Sequence, residues 1–233
     1  MLMKLPICKR LLSCAAYVPE QARVADIGCD HGYLGIHLLQ SGRASYVHAC
    51  DLREGPIRRA VENAQKFGTA EKMRFSRADG LDAVSPEEVD TVVCAGMGGD
   101  LIVQILKKAP WVKNEKYTLI LQPQSSGQEV RRMLCEEGFG IVSESLAQDG
   151  GFLYNIIVMR FGNAQMLTPG QQFCSPQLLH SGDPLLTDYL MRIAGSLRST
   201  VDGIARGKTA QDREKLTYYR AAFEEISSYL QTP

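Results

Sequence analysis

The chain has 233 residues, of which 45% are hydrophobic and 22% are charged. These values are ordinary for one good-sized globular domain with a small appendage, and they exclude an intrinsically disordered chain. Lys and Arg together number 26, as do Asp and Glu, so the formal net charge is zero. A polycationic nucleic-acid binder is thereby excluded, although a local basic patch would suffice to hold RNA.

Neither a membrane anchor nor a secretory leader is expected. The sequence has no uninterrupted run of about 18 apolar residues, the length that a spanning helix needs. Charges or prolines interrupt residues 1–12 every few positions, unlike the apolar centre of a signal peptide. The 7 cysteines form no C-x-x-C pair, which favours reduced structural thiols over disulfides or a metal site. We therefore expect a cytoplasmic protein without a bound metal.

Strand-like and helix-like runs alternate over the first 160 residues. Strands are predicted at 23–27, 45–50, 73–77, 91–95, 117–121, 141–146 and 152–160. Helices are predicted at 33–41, 55–67, 99–109 and 126–137. Such alternation predicts an α/β fold, a mostly parallel sheet with helices on both faces. Asp149-Gly150-Gly151 predicts a β-hairpin between the last two strands, and a seven-stranded sheet ending in a hairpin is typical of Rossmann-like class I methyltransferases.

The sequence changes character after residue 160. Residues 161–184 are rich in Gly, Pro, Gln and Ser and are interpreted as an ordered linker or a loop packed on the core. Apolar residues then recur at helical spacing in two stripes, namely Leu186, Leu190, Ile193, Leu197, Val201 and Ile204, and Leu216, Tyr219, Phe223, Ile226 and Leu230. With a turn at 208–212, they predict an antiparallel α-helical hairpin. We expect a catalytic domain at 1–160, and at 161–233 a linker and helical domain that serves dimerisation, stability or substrate binding.

The strongest local motif is VADIGCDHGYLG, residues 24–35, which joins a strand to a helix. The dinucleotide pattern G-x-G-x-x-G fails here, because Asp30 and Tyr33 stand where glycines are needed. The methyltransferase pattern acid-x-G-x-G-x-G matches at Asp26, Gly28 and Gly32. Acidic side chains would repel a pyrophosphate, but they suit S-adenosylmethionine, which carries an ammonium and a sulfonium.

Three further turns follow strand ends, where open α/β sheets bind their ligands. Asp51 ends the second strand and is placed to grip ribose hydroxyls. Asp79-Gly80 follows the third strand, where an acid commonly meets the adenine amino group, and Gly96–Gly99 follows the fourth. We expect the cofactor to be bound by Arg10, Asp26, Gly28, Cys29, Asp30, Gly32, Asp51, Leu52, Asp79, Gly80, Ala95, Gly96, Met97 and Gly98.

The motifs DIGCDHGYLGIHLL, ACDLREGPIRRAVENA, ADGL, VVCAGMGG and LILQPQ resemble those of the bacterial tRNA (adenine-22-N1)-methyltransferases. The resemblance covers nearly the whole chain, including an N-terminal helix at 5–19 and the C-terminal helical hairpin. It implies a Rossmann-like domain with a C-terminal coiled-coil domain. It also implies methyl transfer from S-adenosylmethionine to N1 of an adenine in the tRNA D-arm, with S-adenosylhomocysteine as the product. The family pattern has Asn where this chain has Gln124.

Three residues are candidates for the chemistry at the base. Adenine N1 is a neutral lone pair, so the enzyme needs alignment rather than a base. Asp30 is the first candidate to accept the N6 hydrogen and stabilise the developing positive charge, with His31 orienting it. Asp30 binding the cofactor ammonium, and His31 acting only at a helix start, are equally good interpretations. Tyr33 is interpreted either as a stacking platform for the base or as a core residue.

Contact with RNA requires basic groups. The candidates are Lys4, Lys9, Arg10, Arg53, Arg58, Arg59, Lys107, Lys108, Lys113 and Lys116. Arg10 is alternatively placed to bind the cofactor carboxylate bidentately. Two other functions stay open: a methyltransferase for another RNA or a small molecule, and a non-catalytic module that binds cofactor or RNA. The intact acids at 26, 51 and 79 argue against a decayed site.

Overall fold

A computed structural model describes residues 5–205, 207 and 209–231 of the chain. Its strands are β1 Ala22–Ile27, β2 Ala44–Asp51, β3 Met73–Arg77, β4 Thr91–Met97, β5 Thr118–Pro123, β6 Phe139–Asp149 and β7 Phe152–Phe161. They form one 7-stranded sheet in the order β3-β2-β1-β4-β5-β7-β6. Strands β1 to β5 pair in parallel, whereas β7 is antiparallel to both β5 and β6. This confirms the predicted Rossmann-like sheet.

Helices cover both faces of the sheet. They are α1 Lys9–Ala16, α2 Tyr33–Gln40, α3 Glu54–Lys66, α4 Gly99–Lys108, α5 Gly127–Glu136, α6 Pro169–Phe173, α7 Pro176–Leu179, α8 Leu186–Ile204 and α9 Ala210–Tyr229. One buried apolar cluster joins α4 and α5 to the sheet, and a second joins α1, α2 and α3 to it. Because β1 pairs with both β2 and β4, successive crossovers leave β1 in opposite directions, and the resulting crevice is where such sheets bind ligands.

Most predicted boundaries agree with the structure to within a residue or two. Two elements differ clearly: α1 is shorter than the expected 5–19, and β6 is longer than the expected 141–146. Helix α1 ends before Pro19, because a proline disfavours helical backbone at the residue that precedes it. In the predicted hairpin, Gly150 and Gly151 have φ values of 57° and 82°, the left-handed backbone that a two-residue turn of this kind requires.

The segment 161–184, interpreted from sequence as a linker or loop, contains two short helices. Thr168 caps α6 in a capping box with Gln171, and Ser175 caps α7 by accepting the N–H of Leu178. Both caps precede a proline at the first helical position. Proline is tolerated there because an N–H at that position would have no partner within the helix. The prediction missed these helices because each is too short for an apolar period to be visible.

Helices α8 and α9 pack together as predicted, through an apolar cluster that includes Leu190, Leu197 and Ile226. Leu230, expected in the same stripe, is 37% exposed because it caps the end of α9. The predicted turn at 208–212 is also too long, since α9 begins at Ala210 after a Thr209–Asp212 capping box; Lys208 lies outside the described residues. Within the described ranges, no helix is long and apolar enough to cross a membrane.

Candidate active site

A cavity of about 460 Å³ opens at the carboxyl ends of the central strands. The lining residues come from α1, the ends of β1, β2 and β4, the turns after β1, β2, β3 and β5, and the first turns of α2 and α4. Those predicted to bind the cofactor and found in this lining are Arg10, Asp26, Gly28, Cys29, Asp30, Asp51, Leu52, Asp79, Gly80, Ala95, Gly96 and Met97. The structure thus brings together residues from four separate turns that the sequence identified one by one.

Asp26, at the end of β1, is a buried carboxylate with only 4% of its surface exposed. Its Oδ2 atom is buried without a hydrogen-bond partner among the described residues. Burial raises the pKa of Asp26 to about 7, opposed by the backbone N–H of Gly35, while the Asp51 charge raises it further. An unpaired buried carboxylate is costly, so this oxygen is a strong candidate to receive a cationic or donor group from a ligand.

Asp51 holds the turn after β1 in place. Its Oδ2 accepts the backbone N–H of Asp30 at 3.3 Å, and its Oδ1 accepts the backbone N–H of Arg53 at 3.0 Å. Asp30 adopts a left-handed φ of 48°, which is uncommon for a residue other than glycine. This conformation keeps the Asp30 carboxylate at the cavity wall, where its side chain is 58% exposed.

Two glycines leave room for a ligand to approach the backbone closely. Gly28 has a φ of 73°, and a Cβ atom there would lie 2.9 Å from Cε of Met97. Gly96 has a φ of 85°, and a Cβ atom there would lie 3.1 Å from Nη1 of Arg10. Both positions therefore favour glycine for its left-handed backbone, and an added Cβ would in addition have to displace the end of the Met97 or Arg10 side chain.

Arg10 reaches the cavity from α1 and is held there by contacts that the sequence did not predict. Its Nη1 donates to Oε1 of Gln122, a fully buried side chain on β5. Its backbone N–H donates to Oδ2 of Asp149 at 3.4 Å, and its guanidinium lies 5.6 Å from the Tyr154 ring centroid. The contact made by Gln122 could not be predicted from the sequence around it, because its partner Arg10 lies 112 residues away in the chain.

His31 and Tyr33 are placed together but outside the cavity lining. Their rings stack at 5.5 Å with an interplanar angle of 10°, and Tyr33 packs against the apolar cluster under α2 and α3. The His31 Nε2 atom lies 3.6 Å from Oδ2 of Asp30, so the predicted Asp30–His31 pair does form. One face of the Tyr33 ring is covered by His31, which favours the core interpretation of this tyrosine.

Gly32 and Gly98, also predicted to bind the cofactor, do not line the cavity. Gly32 has a φ of 72°, and a Cβ there would lie 3.0 Å from Cβ of Ala60, so this glycine allows α3 to pack against the turn. A Cβ at Gly98 would lie 3.3 Å from Oγ of Ser125. Both glycines thus serve loop packing, and their contact with the cofactor stays a prediction.

The basic residues proposed for RNA contact fall into different environments. Lys107 and Lys113 both pair with Glu137, and Lys108 donates to Oδ2 of Asp79 at 2.8 Å. Arg58 and Arg53 have exposed side chains, with 76% and 75% of their surfaces accessible, and Arg59 and Lys9 are exposed as well. Lys116 lies over the Tyr117 ring, and Lys4 lies outside the described residues.

The described part of the chain shows no group of three or more His, Cys, Asp and Glu side chains that could hold a metal ion. The 7 cysteines are free thiols, and all except Cys8 are buried. Burial raises the pKa of the Cys14, Cys50 and Cys94 thiols to about 12. These thiols are protonated near neutral pH and act as small core residues.

Comparison with known proteins bears directly on this cavity. Residues 7–157 match the family model described as a methyltransferase domain. The tRNA (adenine(22)-N(1))-methyltransferase of Bacillus subtilis is 32% identical over 160 residues, which are 69% of this chain and 67% of that protein. The chain belongs to the tRNA (adenine(22)-N(1))-methyltransferase family.

Solved structures of this family share the fold along almost the whole chain. The crystal structure of the B. subtilis M1A22 tRNA methyltransferase superposes with a TM-score of 0.87 at 26% identity, covering 97% of this chain and all of that one. A Streptococcus pneumoniae protein in complex with S-adenosyl-L-methionine superposes with a TM-score of 0.82 at 30% identity, covering 96% of this chain and 99% of that one. The predicted fold, with its C-terminal helices, is confirmed.

The residues of the cavity fit S-adenosylmethionine. The unpartnered oxygen of Asp26 offers an acceptor for a cationic group, and Asp51 lies at the end of β2, where ribose hydroxyls are gripped in nucleotide-binding sheets. The glycines at 28 and 96 leave the backbone open to close approach. Arg10 also lines the cavity, and its guanidinium suits a ligand carboxylate.

Proposed function

We propose that this protein methylates N1 of adenine 22 in tRNA, with S-adenosylmethionine as the methyl donor and S-adenosylhomocysteine as the product. The observation that carries the proposal is the cavity itself. At the carboxyl ends of the central strands it brings together two glycines with left-handed backbone and the Asp26 carboxylate, whose buried Oδ2 atom has no hydrogen-bond partner among the described residues. The B. subtilis relative, named a tRNA (adenine(22)-N(1))-methyltransferase, supports tRNA as the substrate. The S. pneumoniae structure, which contains S-adenosyl-L-methionine, supports the assignment of the cofactor. A tRNA substrate puts the reaction in the cytoplasm.

When bound, S-adenosylmethionine supplies a methyl group on a positively charged sulfur. Adenine N1 carries a free lone pair near neutral pH, so no side chain has to remove a proton before attack. The work of the protein is to hold the two reactants in line, which brings a large entropic advantage. Asp26, Asp51 and Arg10, which all line the cavity, are proposed to hold the methyl donor in place.

Asp30 is the residue proposed to respond to the charge that appears on the base. Its carboxylate lies at the cavity wall and is supported by His31 at 3.6 Å. There it accepts a hydrogen from the adenine N6 amino group and stabilises the cationic product, or it binds the cofactor ammonium. Asp30→Asn separates these roles, since loss of the first lowers turnover and loss of the second lowers cofactor affinity.

The exposed arginines near the end of β2 are proposed to hold tRNA phosphates. Arg53 borders the cavity, and Arg58 and Arg59 lie on the following helix with exposed side chains. Phosphate contacts position RNA without reading its sequence. We further propose that residues 1–160 form the catalytic domain and residues 161–233 a helical domain that helps to grip the RNA.

The decisive experiment incubates the purified protein with labelled S-adenosylmethionine and unmodified tRNA, followed by nucleoside mass spectrometry and mapping of the modified position. We expect 1-methyladenosine at position 22, and none from a transcript with guanine at that position. Cofactor binding without any transfer to tRNA would contradict the proposal and direct attention to another RNA or a small molecule as acceptor. Transfer to a different tRNA position would keep the reaction and reject the site.

A further inference from the structure

A second cavity of about 290 Å³ lies beside the cofactor cavity at the same edge of the sheet. It is bounded by the loop after β5, the beginning of β7 and side chains of α6 and α8. Gln124 lines both cavities. Arg10, which lines the first, lies over the ring of Tyr154, which lines the second. The two cavities are therefore neighbours that share a wall.

Two aromatic side chains at the beginning of β7 make this second cavity unusual. Phe152 and Tyr154 alternate with Leu153 along the strand and so share a face, and their rings lie 6.4 Å apart. Phe152 is 65% exposed, directly after the hairpin turn. An aromatic ring exposed to this extent offers a flat apolar surface of the kind on which nucleic-acid bases stack.

The polarity of the second cavity suits an uncharged base. Among the described residues that line it, Arg131 is the only charged one, and its guanidinium is committed to Glu144 and to the backbone carbonyl of Gln172. Gln124, Ser125 and Gln128 supply amide and hydroxyl groups that can both donate and accept hydrogen bonds. Apolar walls with a few polar groups are typical of sites for small planar ligands.

We propose that this second cavity receives the target adenine after it leaves the RNA stack, with Phe152 and Tyr154 as its stacking surface and Gln124 at the boundary with the methyl donor. This assignment rests on the proposed function and specifies where its substrate binds. Because Asp30 lines the cofactor cavity and not the second cavity, the assignment favours the second role proposed for Asp30, binding of the cofactor ammonium. A base inside folded tRNA cannot be reached by the cofactor unless it is unstacked. Unstacking the base costs free energy. Stacking on aromatic rings beside the cofactor cavity offsets that cost at the place where the methyl group is transferred.

The test compares single-turnover methylation of saturating tRNA by the full-length wild type and by Phe152→Ala, Tyr154→Ala and the double variant. Base–aromatic stacking is worth about 1–3 kcal/mol, so we expect the rate to fall about tenfold or more in the double variant. Phe152→Tyr and Tyr154→Phe retain the rings and should keep most of the rate. Val142→Ala, 54% exposed on the neighbouring strand of the same hairpin, is the matched control and should methylate like the wild type.

A second readout tests the base contact itself. The affinities of wild type and double variant are measured for tRNA with an intact adenine and for tRNA with an abasic site at position 22. If the rings hold that base, the ratio of the two affinities should differ about tenfold between the proteins, because the mutation and the base removal are then coupled. Equal ratios overturn the assignment.

The outcomes separate this inference from the function on which it rests. A wild type that forms 1-methyladenosine, together with alanine variants of unchanged rate, rejects the second cavity and leaves the proposed function standing. A wild type that binds S-adenosylmethionine but never methylates tRNA rejects both. Cofactor affinity by calorimetry should be the same for all variants; a loss in Tyr154→Ala would mean that the tyrosine acts through Arg10 and would also reject the stacking role.

Discussion

Two buried carboxylates in this protein have opposite surroundings. Glu144, on β6, accepts hydrogen bonds from Arg131, from Asn155 at 2.8 Å and from Ser175 at 2.6 Å. Asp26, on β1, has one oxygen without any partner among the described residues. Glu144 is satisfied by the protein alone, and its contacts tie the hairpin to the segment that leads into α8. The Oδ2 atom of Asp26 can gain a hydrogen-bond partner when a ligand enters the cavity.

The comparison teaches how to tell a structural buried charge from a functional one. A charge whose partners are all present resists change because removing any one partner leaves the others uncompensated. A charge left short of partners destabilises the free protein, and that cost is recovered when a ligand binds.

The largest effect on stability is expected for Arg131→Met. This change leaves Glu144 buried without its cation, and breaking a buried pair from one side costs about 3–5 kcal/mol. The free energy of unfolding, measured by urea denaturation, should fall by that amount. The double variant Arg131→Met with Glu144→Leu should recover most of the loss, because it buries no unpaired charge. A single variant as stable as the wild type would refute the structural role of the pair.

Asp26 should make cofactor binding depend on pH. Because burial raises its pKa to about 7, the carboxyl is protonated in acid and loses its attraction for a cationic ligand. Affinity for S-adenosylmethionine, measured by calorimetry, should therefore fall by up to about tenfold per pH unit below pH 7 and level off above it. Asp26→Asn, which does not titrate, should bind weakly with a flatter profile. An identical pH profile in both proteins would contradict the prediction.

Asp26 should also make the free energy of unfolding depend on pH. The direction is opposite to that of a carboxylate whose pKa is lowered by an ion pair. The pKa of Asp26 is about 7 when folded, against an ordinary value of 3.8, so the folded state binds more protons between these values. The contribution of Asp26 to stability is therefore favourable at low pH and is lost as pH rises from about 4 to about 7. Asp26→Asn should consequently gain stability relative to the wild type over that range, by an amount on the order of a few kcal/mol.

Gly28→Ala should weaken cofactor binding more than folding. The added Cβ meets Cε of Met97 at 2.9 Å at the cavity wall, and φ is 73°. Gly42→Ala is the matched control, because its φ is 72° and nothing lies within 4 Å of the added Cβ. Both variants should lose about 1–2 kcal/mol of stability through the left-handed backbone. Only Gly28→Ala should lose cofactor affinity; equal affinities would mean that the glycine serves the turn alone.

The smallest effect is expected for Lys108→Ala. The Lys108–Asp79 pair has a short distance of 2.8 Å, but both side chains are substantially exposed, at 60% and 47%. Exposed ion pairs contribute little because solvent screens them. We expect the melting temperature and the cofactor affinity to stay at wild-type values, whereas Asp79→Ala should lower the affinity if that acid contacts the adenine of the cofactor. A large loss of affinity in Lys108→Ala would show that the lysine positions Asp79.

The sequence predicted the parts of this protein that depend on local pattern. Buried strands such as β4 are short apolar runs, and the turn after β1 combines glycines with acids in a recognisable order. The cavity follows from these two facts, because parallel strands present their carboxyl ends at one edge. The family resemblance, which the comparisons confirm, rested on the same kind of local motif.

The parts that were missed depend on contacts between distant residues. The burial of Arg131 could not be foreseen, since an arginine on an amphipathic helix is normally solvated. Gln122 is likewise an ordinary polar residue until α1 brings Arg10 to it. The stacking of His31 on Tyr33 depends on side-chain rotamers, to which periodicity is blind.

The position of α1 has a consequence for synthesis of the chain. Arg10 belongs to the first helix, yet its partners Gln122, Asp149 and Tyr154 all come more than 100 residues later. A nascent chain on the ribosome can form β1 to β4 and still lack the wall against which α1 closes. The contacts that hold Arg10 at the cavity are therefore complete only after the β6–β7 hairpin has left the ribosome.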